Sequence, residues 1–321
     1  MKKKTILVLG CMGHLGFSIS KYLSKKNLKV YGIYNKTLDK YKKKDLENLG
    51  VKLIKNDLSN KNKILNLIKK FKITDCIYTS AIAHDSIAKI RPEDTIKVNS
   101  LYPNLFIQMQ KKKIINKFIY ISTGSVFQNI KSNKIKIFEN SAPSPKSLYA
   151  ISKRAAEILI ENNFYQSRKK ICILRVSWVY GPPLITRKIV PQRGPIPYVL
   201  NEILIKKKKN IFLPGKDFEA SFTYIDDVCE NIFKLLNLSY FKQSIYHLGK
   251  NKNNKINELI LILKRNFKNI NIKTTKGFNP WSSDSVVRGP LASNSKNKLV
   301  NCRFDLSRGI KEFTKYIKSY A

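Results

Sequence analysis

The pair of residues best suited to chemistry in this chain is Tyr149 and Lys153, in the stretch Tyr149-Ala150-Ile151-Ser152-Lys153. Residues four apart lie on one face of a helix, so the lysine would stand beside the phenol. A tyrosine titrates near pH 10 and needs such help to act as a base at neutral pH. Thr123, at the end of a predicted strand, could hold a substrate hydroxyl or carbonyl oxygen next to that phenol. The alternative is that Tyr149 is an amphipathic helix residue without a chemical role.

A glycine pattern near the N-terminus predicts a site for a cofactor that contains phosphate. Gly10, Gly13 and Gly16 follow the apolar run 6–9, and their first spacing is one residue wider than in G-x-G-x-x-G. Gly10 allows the chain to reverse, Gly13 allows the backbone to approach a pyrophosphate, and Gly16 allows the next helix to pack closely. The helix N-terminus then directs N–H groups at the phosphates. We expect the other turn residues to contact the cofactor as well: Met12, His14 and Leu15.

These residues need a scaffold that brings them to one edge. Strand patterns at 6–9, 29–34, 51–54, 76–79, 118–122 and 171–176 alternate with helix patterns that include 60–71 and 149–164, and a late strand is predicted at 245–248. Repeated β-α units imply an α/β fold with a doubly wound parallel sheet. Such sheets bind their ligands at the carboxyl ends of the strands. The segment 181–197 contains five prolines and is predicted to be irregular.

The charge of the chain is unusual. Its 321 residues include 62 Lys and Arg against 21 Asp and Glu, a formal net charge of +41. Such an excess attracts polyanions, which supports an alternative function as a non-catalytic nucleotide-sensing or RNA-binding protein. The other explanation is compositional drift, because the lysines are spread over the whole length and the runs 42–44 and 206–209 are expected to form solvated faces. We favour drift and do not expect nucleic acid as a partner.

Several classes of site are not expected. The five cysteines are scattered without a C-x-x-C pair, which indicates reduced thiols in a cytoplasm. Three dispersed histidines are too few for a metal cluster, so no metal is predicted. We see no apolar run long enough to span a membrane and no signal peptide.

Taken together, these motifs resemble the extended short-chain dehydrogenase/reductases, which include nucleotide-sugar epimerases, dehydratases and reductases. The resemblance covers nearly the whole length. The matching residues are the phosphate turn (Gly10, Gly13, Gly16), an adenine-contacting pair (Asp57, Leu58), small residues that let the cofactor cross the sheet (Ala81, Ala83) and a catalytic tetrad (Asn99, Thr123, Tyr149, Lys153).

The resemblance implies a Rossmann-type NAD(P)-binding domain over 1–177, to which 216–249 return, and a smaller C-terminal substrate-binding lobe formed mainly by 178–321. It implies that hydride moves between the nicotinamide of NAD(P) and a carbon of a nucleoside-diphosphate sugar, which we expect to be C4. Tyr149 would exchange the hydroxyl proton, while Lys153 tunes the phenol and holds the nicotinamide ribose. A cytoplasmic enzyme is expected, with a homodimer through the Tyr149 helix as one possibility.

Three further residues are expected near the substrate. His84 follows the fourth strand at the ligand-binding edge, although a loop histidine satisfied by water explains it equally well. The resemblance adds Arg175 and Trp178 at the start of the segment that leads into the substrate lobe.

The subclass is narrowed by departures from the family pattern. The 4,6-dehydratases carry Asp-Glu after the catalytic threonine, whereas Gly124-Ser125 follow Thr123 here, which disfavours dehydration. Trp178 stands where galactose-type epimerases place an asparagine. Epimerase and 4-keto-sugar reductase therefore both stay open.

Two finer expectations concern the cofactor and the proton path. The second strand ends in Tyr34-Asn35-Lys36, where NAD-binding relatives place an acidic residue, so Asn35 and Lys36 favour NADP(H), unless Lys36 is only one of many lysines. Pro103 lacks the N–H that would bond to the Asn99 carbonyl. We predict a kinked helix whose free Asn99 carbonyl can hold a water on the path of the Tyr149–Lys153 proton. The alternative is a helix that restarts at Pro103.

Overall fold

The computed structural model describes residues 4–36, 38–130, 135–183, 194–276, 289–294 and 299–320. The chain forms two compact units. The first comprises Met1–Phe127, Ala142–Arg175 and Val228–Tyr246, and the second comprises Gln128–Ser141, Val176–Asp227 and His247–Ala321. The segment that returns to the first unit is thus shorter than the 216–249 that the sequence suggests.

A parallel sheet of seven strands is the centre of the fold, as the sequence predicts. Its strands lie in the order β11-β6-β5-β4-β1-β2-β3. Their bounds are β1 Thr5–Leu9, β2 Lys29–Tyr34, β3 Lys52–Lys55, β4 Asp75–Tyr78, β5 Lys117–Thr123, β6 Ile171–Val176 and β11 Ile245–Leu248. After β3 the chain returns to place β4 beside β1, with Leu9 opposite Tyr78. This reversal creates the crevice in which doubly wound folds bind ligands.

Helices connect these strands. Those of the first unit are α1 His14–Lys25, α2 Lys40–Asn48, α3 Lys61–Lys70, α4 Asp85–Ile90, α5 Pro92–Ile96, α6 Tyr102–Lys111 and α7 Leu148–Asn163, and α9 Ile225–Asn237 lies mostly within it. Between α5 and α6 the chain forms a π-helical segment, Lys97–Leu101, here called the π-turn. A 3-10 turn, Gly124–Phe127, follows β5. The helix that the sequence predicts from Pro92 toward Gln110 is therefore present, and it contains a π-helical turn just before Pro103.

The core of the first unit lies on the sheet. Strands β1, β4 and β6 are buried along their whole length, as expected when helices cover both faces of a parallel sheet. An aromatic cluster of Tyr78, Phe106, Phe118 and Tyr120 packs with ring centroids 5.7 to 6.3 Å apart. These rings pack β4 and β5 against α6.

The second unit contains short strand pairs and four helical segments among the described residues. Its strands are β7 Val179–Tyr180 with β10 Thr223–Tyr224, β8 Asn210–Phe212 with β13 Asn271–Lys273, and β9 Glu219–Ala220 with β12 Asn254–Lys255. Its helices are α8 Pro195–Leu200, a π-helical segment Asn201–Ile205, α10 Ile256–Asn266 and α11 Leu306–Tyr320. Much of the proline-rich stretch, 184–193, lies outside the described residues.

Three further features of the chain are the lysine run 42–44, its helices as possible membrane spans and its possible metal ligands. Lys42 is buried and its ammonium donates to the Met12 carbonyl at 3.0 Å, so the expectation that 42–44 form a solvated face is wrong at this residue. In the parts of the chain that the structure describes, no helix is long and apolar enough to cross a membrane. The same parts contain no cluster of His, Cys, Asp and Glu that could hold a metal ion.

Candidate active site

The predicted acid–base pair lies at the start of α7. The Ser147 hydroxyl caps this helix by accepting a hydrogen bond from the Ala150 N–H at 3.3 Å. Tyr149 and Lys153 then share one helix face, as the spacing predicts. Tyr149 is half-buried, whereas Lys153 is only 2% exposed. The phenol can thus meet a ligand, whereas the amine is enclosed by the protein.

Lys153 is held by β5. Its ammonium donates to the Ile121 carbonyl at 2.6 Å and lies 4.2 Å from the centroid of the Tyr120 ring. Burial lowers the pKa of Lys153 to about 7, although the nearby Glu157 carboxylate raises it. The carbonyl, the ring face and Glu157 all favour the charged form that burial opposes, so the amine titrates close to neutral pH.

Thr123 ends β5, two residues after the carbonyl that holds Lys153. Its Oγ1 accepts a hydrogen bond from the Ser125 N–H at 3.1 Å. The hydroxyl proton can still be donated to a ligand oxygen. Next to it, the buried Ser122 hydroxyl has no partner among the described residues. Thr123 lies at the end of its strand, as predicted, and its role in orienting a substrate oxygen stays a prediction.

Asn99 has a different setting from the one we predicted. Its carbonyl accepts a hydrogen bond from the Tyr120 hydroxyl at 2.7 Å in a buried environment, so the expectation of a free carbonyl that holds a water is wrong. Its side-chain amide pairs with the backbone of Ile82 at 3.0 and 3.2 Å and donates to Ser152 Oγ at 3.0 Å. Asn99 is fully occupied in holding the loop after β4 against α7, which makes it a positioning residue.

The three glycines have distinct roles in the turn after β1. Gly10 has a φ of +86°, and a Cβ there would lie 2.8 Å from Ser80 Oγ. A Cβ on Gly16 would overlap the Gly10 carbonyl group and lie 2.7 Å from Thr79 Oγ1. A Cβ on Gly13 would meet only the Gly10 oxygen, at 3.3 Å. Gly10 and Gly16 therefore close the turn, whereas the surface at Gly13 is open to a ligand.

The turn fits a pyrophosphate. It lies at the carboxyl end of β1, beside β4, where the strand order reverses. Gly13 precedes α1, whose first internal bond runs from the Phe17 N–H to the Gly13 carbonyl, so earlier N–H groups can face an anion. Met12 is buried, His14 and Leu15 are half-buried, and the Lys42 ammonium adds positive charge at Met12.

The ends of β2 and β3 bring a carboxylate to the cofactor edge. Asp57, which follows β3, accepts a hydrogen bond from the Asn35 amide at 2.7 Å. Hydrogen bonds from Ser59 and Asn35 and the charge of Lys36 lower the pKa of Asp57, so it stays ionised at neutral pH. The end of β2 has no acidic residue of its own, as the sequence shows, but the Asp57 carboxylate from the end of β3 lies beside Asn35. Leu58 is buried in the core, whereas Asp57 is exposed.

The loop after β4 contains three further predicted residues. Ala81 is half-buried and Ala83 is exposed, on either side of the Ile82 backbone that Asn99 holds. His84 precedes α4, and its Nδ1 lies 2.8 Å from Ser86 Oγ. The two small residues fit a backbone along which a cofactor passes closely.

Arg175 does not lie where a substrate can reach it. Its guanidinium is buried, bonds to both carboxylate oxygens of Glu157 at 2.9 and 2.8 Å, and lies 4.9 Å from the Phe127 ring centroid. The prediction that Arg175 contacts substrate conflicts with this position, because the side chain is fully buried and the Nε–Nη2 edge of its guanidinium is paired with Glu157. Glu157 is not among the site residues predicted from the sequence, although its position four residues after Lys153 places both on one face of the helix.

Trp178 belongs to the second unit and has an unusual backbone. Its φ is +37°, a region that large L-residues rarely adopt. Its ring packs edge-on against Phe218, with centroids 5.0 Å apart, and is half-buried. A strained, partly exposed aromatic residue is typical of a ligand-contacting position.

Comparison with known proteins agrees with this geometry. The sequence model of the NAD dependent epimerase/dehydratase family matches residues 6–249. The uncharacterized protein MJ1055 of Methanocaldococcus jannaschii is 29% identical, over 98% of this chain and 96% of that protein. A dTDP-D-glucose 4,6-dehydratase of Dictyostelium discoideum is 27% identical, and the matched region covers 70% of this chain and 53% of that enzyme. The crystal structure of Thermus thermophilus UDP-glucose 4-epimerase with NAD has a TM-score of 0.81 at 20% identity, covering 99% of this chain and 100% of that one.

Proposed function

Because the chain belongs to the NAD-dependent epimerase/dehydratase family, we propose that it epimerises a nucleoside-diphosphate sugar at C4. The observation that carries this proposal is the placement of Tyr149, Lys153 and Thr123 on α7 and β5, in the unit whose glycine turn fits a pyrophosphate. Bound NAD supplies reversible hydride transfer. The remaining chemistry is movement of a hydroxyl proton.

We propose the following roles for the residues of the first unit. Tyr149 would take the proton of the C4 hydroxyl as C4 is oxidised to a ketone, and would return it to the C4 oxygen once the ketone has turned its opposite face to the cofactor, which gives the inverted alcohol. Lys153 stabilises the phenolate with its nearby charge. Thr123 donates a hydrogen bond to the same oxygen and fixes its distance from the phenol.

Epimerisation fits the site better than the two related reactions. Dehydration needs acid and base groups after Thr123, and the 3-10 turn has Gly124 and Ser125 there. A reductase must take up a proton in each turnover, whereas an epimerase returns the proton that it took. The Asn99 carbonyl, which could have seated a relay water, is bound to the Tyr120 hydroxyl. That arrangement suits a reaction with no net proton uptake.

We propose NAD rather than NADP as the cofactor. The ionised Asp57 carboxylate beside Asn35 would repel a 2′-phosphate and can accept hydrogen bonds from ribose hydroxyls. The opposing feature is Lys36, which is exposed and can turn away. Titration with both cofactors tests this choice. The wild-type protein should bind NAD at least 10-fold more tightly than NADP, and Asp57→Asn should reduce this difference in affinity. Equal affinities in the wild-type protein would contradict it.

A second copy of the chain is the partner that we propose. Ile96, Leu101, Ile151 and Ile158 are 43% to 56% exposed on α5, the π-turn and α7, which pack against one another. Large exposed apolar side chains on adjacent helices are typical of a protein interface.

The function is tested with a panel of nucleotide sugars, which should include UDP-glucose, UDP-galactose and UDP-glucuronate. The protein is incubated with NAD and each sugar, and products are read by proton NMR. Conversion of one sugar to its C4 epimer without added reductant is the expected result. Tyr149→Phe should lose the activity while it still binds NAD. Consumption of NADPH by a 4-keto sugar would instead show a reductase.

A further inference from the structure

Two buried tyrosines support the π-turn from below. Pro103 has no N–H to offer the Asn99 carbonyl, and the Tyr120 hydroxyl donates to that carbonyl at 2.7 Å. The Tyr78 hydroxyl donates to the preceding carbonyl, that of Val98, at 2.6 Å. Burial raises the pKa of both hydroxyls well above the usual range, so both stay protonated donors.

The two tyrosines form a matched pair. They are register partners on neighbouring strands β4 and β5, both are fully buried, and their ring centroids are 5.8 Å apart. Of these two tyrosines, Tyr120 also presents its ring face to the Lys153 ammonium, with 4.2 Å between the nitrogen and the ring centroid. One side chain therefore contacts both the π-turn and the lysine.

The π-turn in turn fixes the surroundings of the lysine. Asn99 holds Ile82 and Ser152 through its side-chain amide. Ser100 Oγ donates to the Ser152 carbonyl at 2.7 Å. Ser152 immediately precedes Lys153, so a shift of the π-turn would be passed directly to the lysine backbone.

We propose that Tyr120 is a positioning residue of the active site, which holds the Lys153 ammonium under Tyr149 with its ring and holds the π-turn with its hydroxyl. This role rests on the proposed function of the same site. Tyr78 bonds to the π-turn through its hydroxyl but has no such role at the lysine. A ring face within about 6 Å attracts a cation, and a desolvated site strengthens the attraction. A π-helical segment is also frequently found at functional sites.

The test compares the two tyrosines in matched pairs: Tyr120→Phe with Tyr78→Phe, and Tyr120→Leu with Tyr78→Leu. Thermal melting shows whether the variants of each pair are equally destabilised. In Tyr120→Leu we expect kcat to fall about 100-fold with the KM for the sugar changed less than about 3-fold, because the lysine charge acts on the Tyr149 phenol and not on the sugar. Tyr120→Phe keeps the ring and should lose only about 10-fold. Tyr78→Phe also removes one hydroxyl bond to the π-turn, so it should lose no more than about 10-fold. Tyr78→Leu leaves the Tyr120 ring on the Lys153 ammonium, so it should lose about 10-fold and not 100-fold.

The pH profile separates positioning from general loosening of the fold. A misplaced cation stabilises the phenolate less, so the acid limb of the kcat/KM profile should move to higher pH by about one unit in Tyr120→Leu. It should not move in Tyr78→Leu. Equal behaviour of the two leucine variants, or an unmoved acid limb, would overturn the proposal.

Hydrogen exchange gives a readout that needs no substrate. The Ile82 amide donates to Asn99 Oδ1, so its exchange reports the order of the π-turn. It should speed up at least 10-fold in Tyr120→Phe. Unchanged exchange there refutes the positioning role. If exchange responds as expected but no nucleotide sugar is turned over, the positioning role in the fold stands and the proposed function fails.

Discussion

The glycine turn offers a sharp test because two alanine substitutions, three residues apart, should fail in different ways. In Gly16→Ala the new methyl would overlap the Gly10 carbonyl oxygen and lie 2.7 Å from both the Gly10 carbonyl carbon and Thr79 Oγ1. Real Cβ atoms essentially never approach heavy atoms within 3.0 Å. Backbone must therefore move at the junction of β1 and α1, at a cost of about 1–3 kcal/mol or more.

In Gly13→Ala the closest neighbour would be the Gly10 oxygen at 3.3 Å, and the residue has a φ of −72° that alanine adopts freely. We expect its stability to change by less than about 1 kcal/mol. The methyl would occupy the surface that the pyrophosphate must approach, so affinity for NAD should fall at least 10-fold, or about 1.4 kcal/mol.

The assay combines thermal melting with calorimetric titration of NAD. Gly16→Ala should melt roughly 4–10 °C lower in the unit that contains the sheet. Gly13→Ala should melt like wild type without ligand but show little stabilisation by NAD. Gly13→Ala that binds NAD normally, or Gly16→Ala with an unchanged melting temperature, would refute this reading of the turn.

Three further outcomes follow from other parts of the structure. Glu157→Gln should lower the free energy of unfolding by about 3–5 kcal/mol in a denaturant titration, because the buried Arg175 loses its counter-charge. The double variant Glu157→Gln with Arg175→Met should regain part of that free energy. Burial lowers the pKa of Lys117 from 10.5 to about 8, so between these pH values the unfolded chain binds more protons than the folded chain. The free energy of unfolding should therefore rise as the pH goes from 8 to 10.5, and it should rise less steeply in Lys117→Met. Leu101→Glu should convert the proposed dimer to monomer in light scattering, and a wild-type monomer would contradict the interface.

Local patterns were enough to predict the fold. The seven strands of the main sheet could be predicted because most are short apolar runs, and β-α alternation leaves few topologies. The helix with Tyr149 and Lys153 was predicted to within one residue at each end. Here the hydrophobic pattern and a serine cap agree.

Tertiary partners could not be read in the same way. Asp57 meets Asn35 only because β2 and β3 pair in the sheet, so the charge at the cofactor edge depends on register rather than on neighbours in sequence. Pro103 correctly indicated that the Asn99 carbonyl needs a partner other than the N–H of residue 103, but the donor, Tyr120, comes from β5 and could not be read from the local sequence. Lys42 is one of many lysines, and only the fold shows that it is buried at the glycine turn.

The fate of a deuterium at C4 of the sugar tests the central claim most directly. The labelled nucleotide sugar that the panel identifies would be converted in the presence of NAD, and the product read by NMR and mass spectrometry. If hydride leaves C4 and returns to the same carbon while Tyr149 exchanges the hydroxyl proton, the label should be retained at C4 of the epimer. Loss of the label to water, or its release in free NADH, would contradict the account.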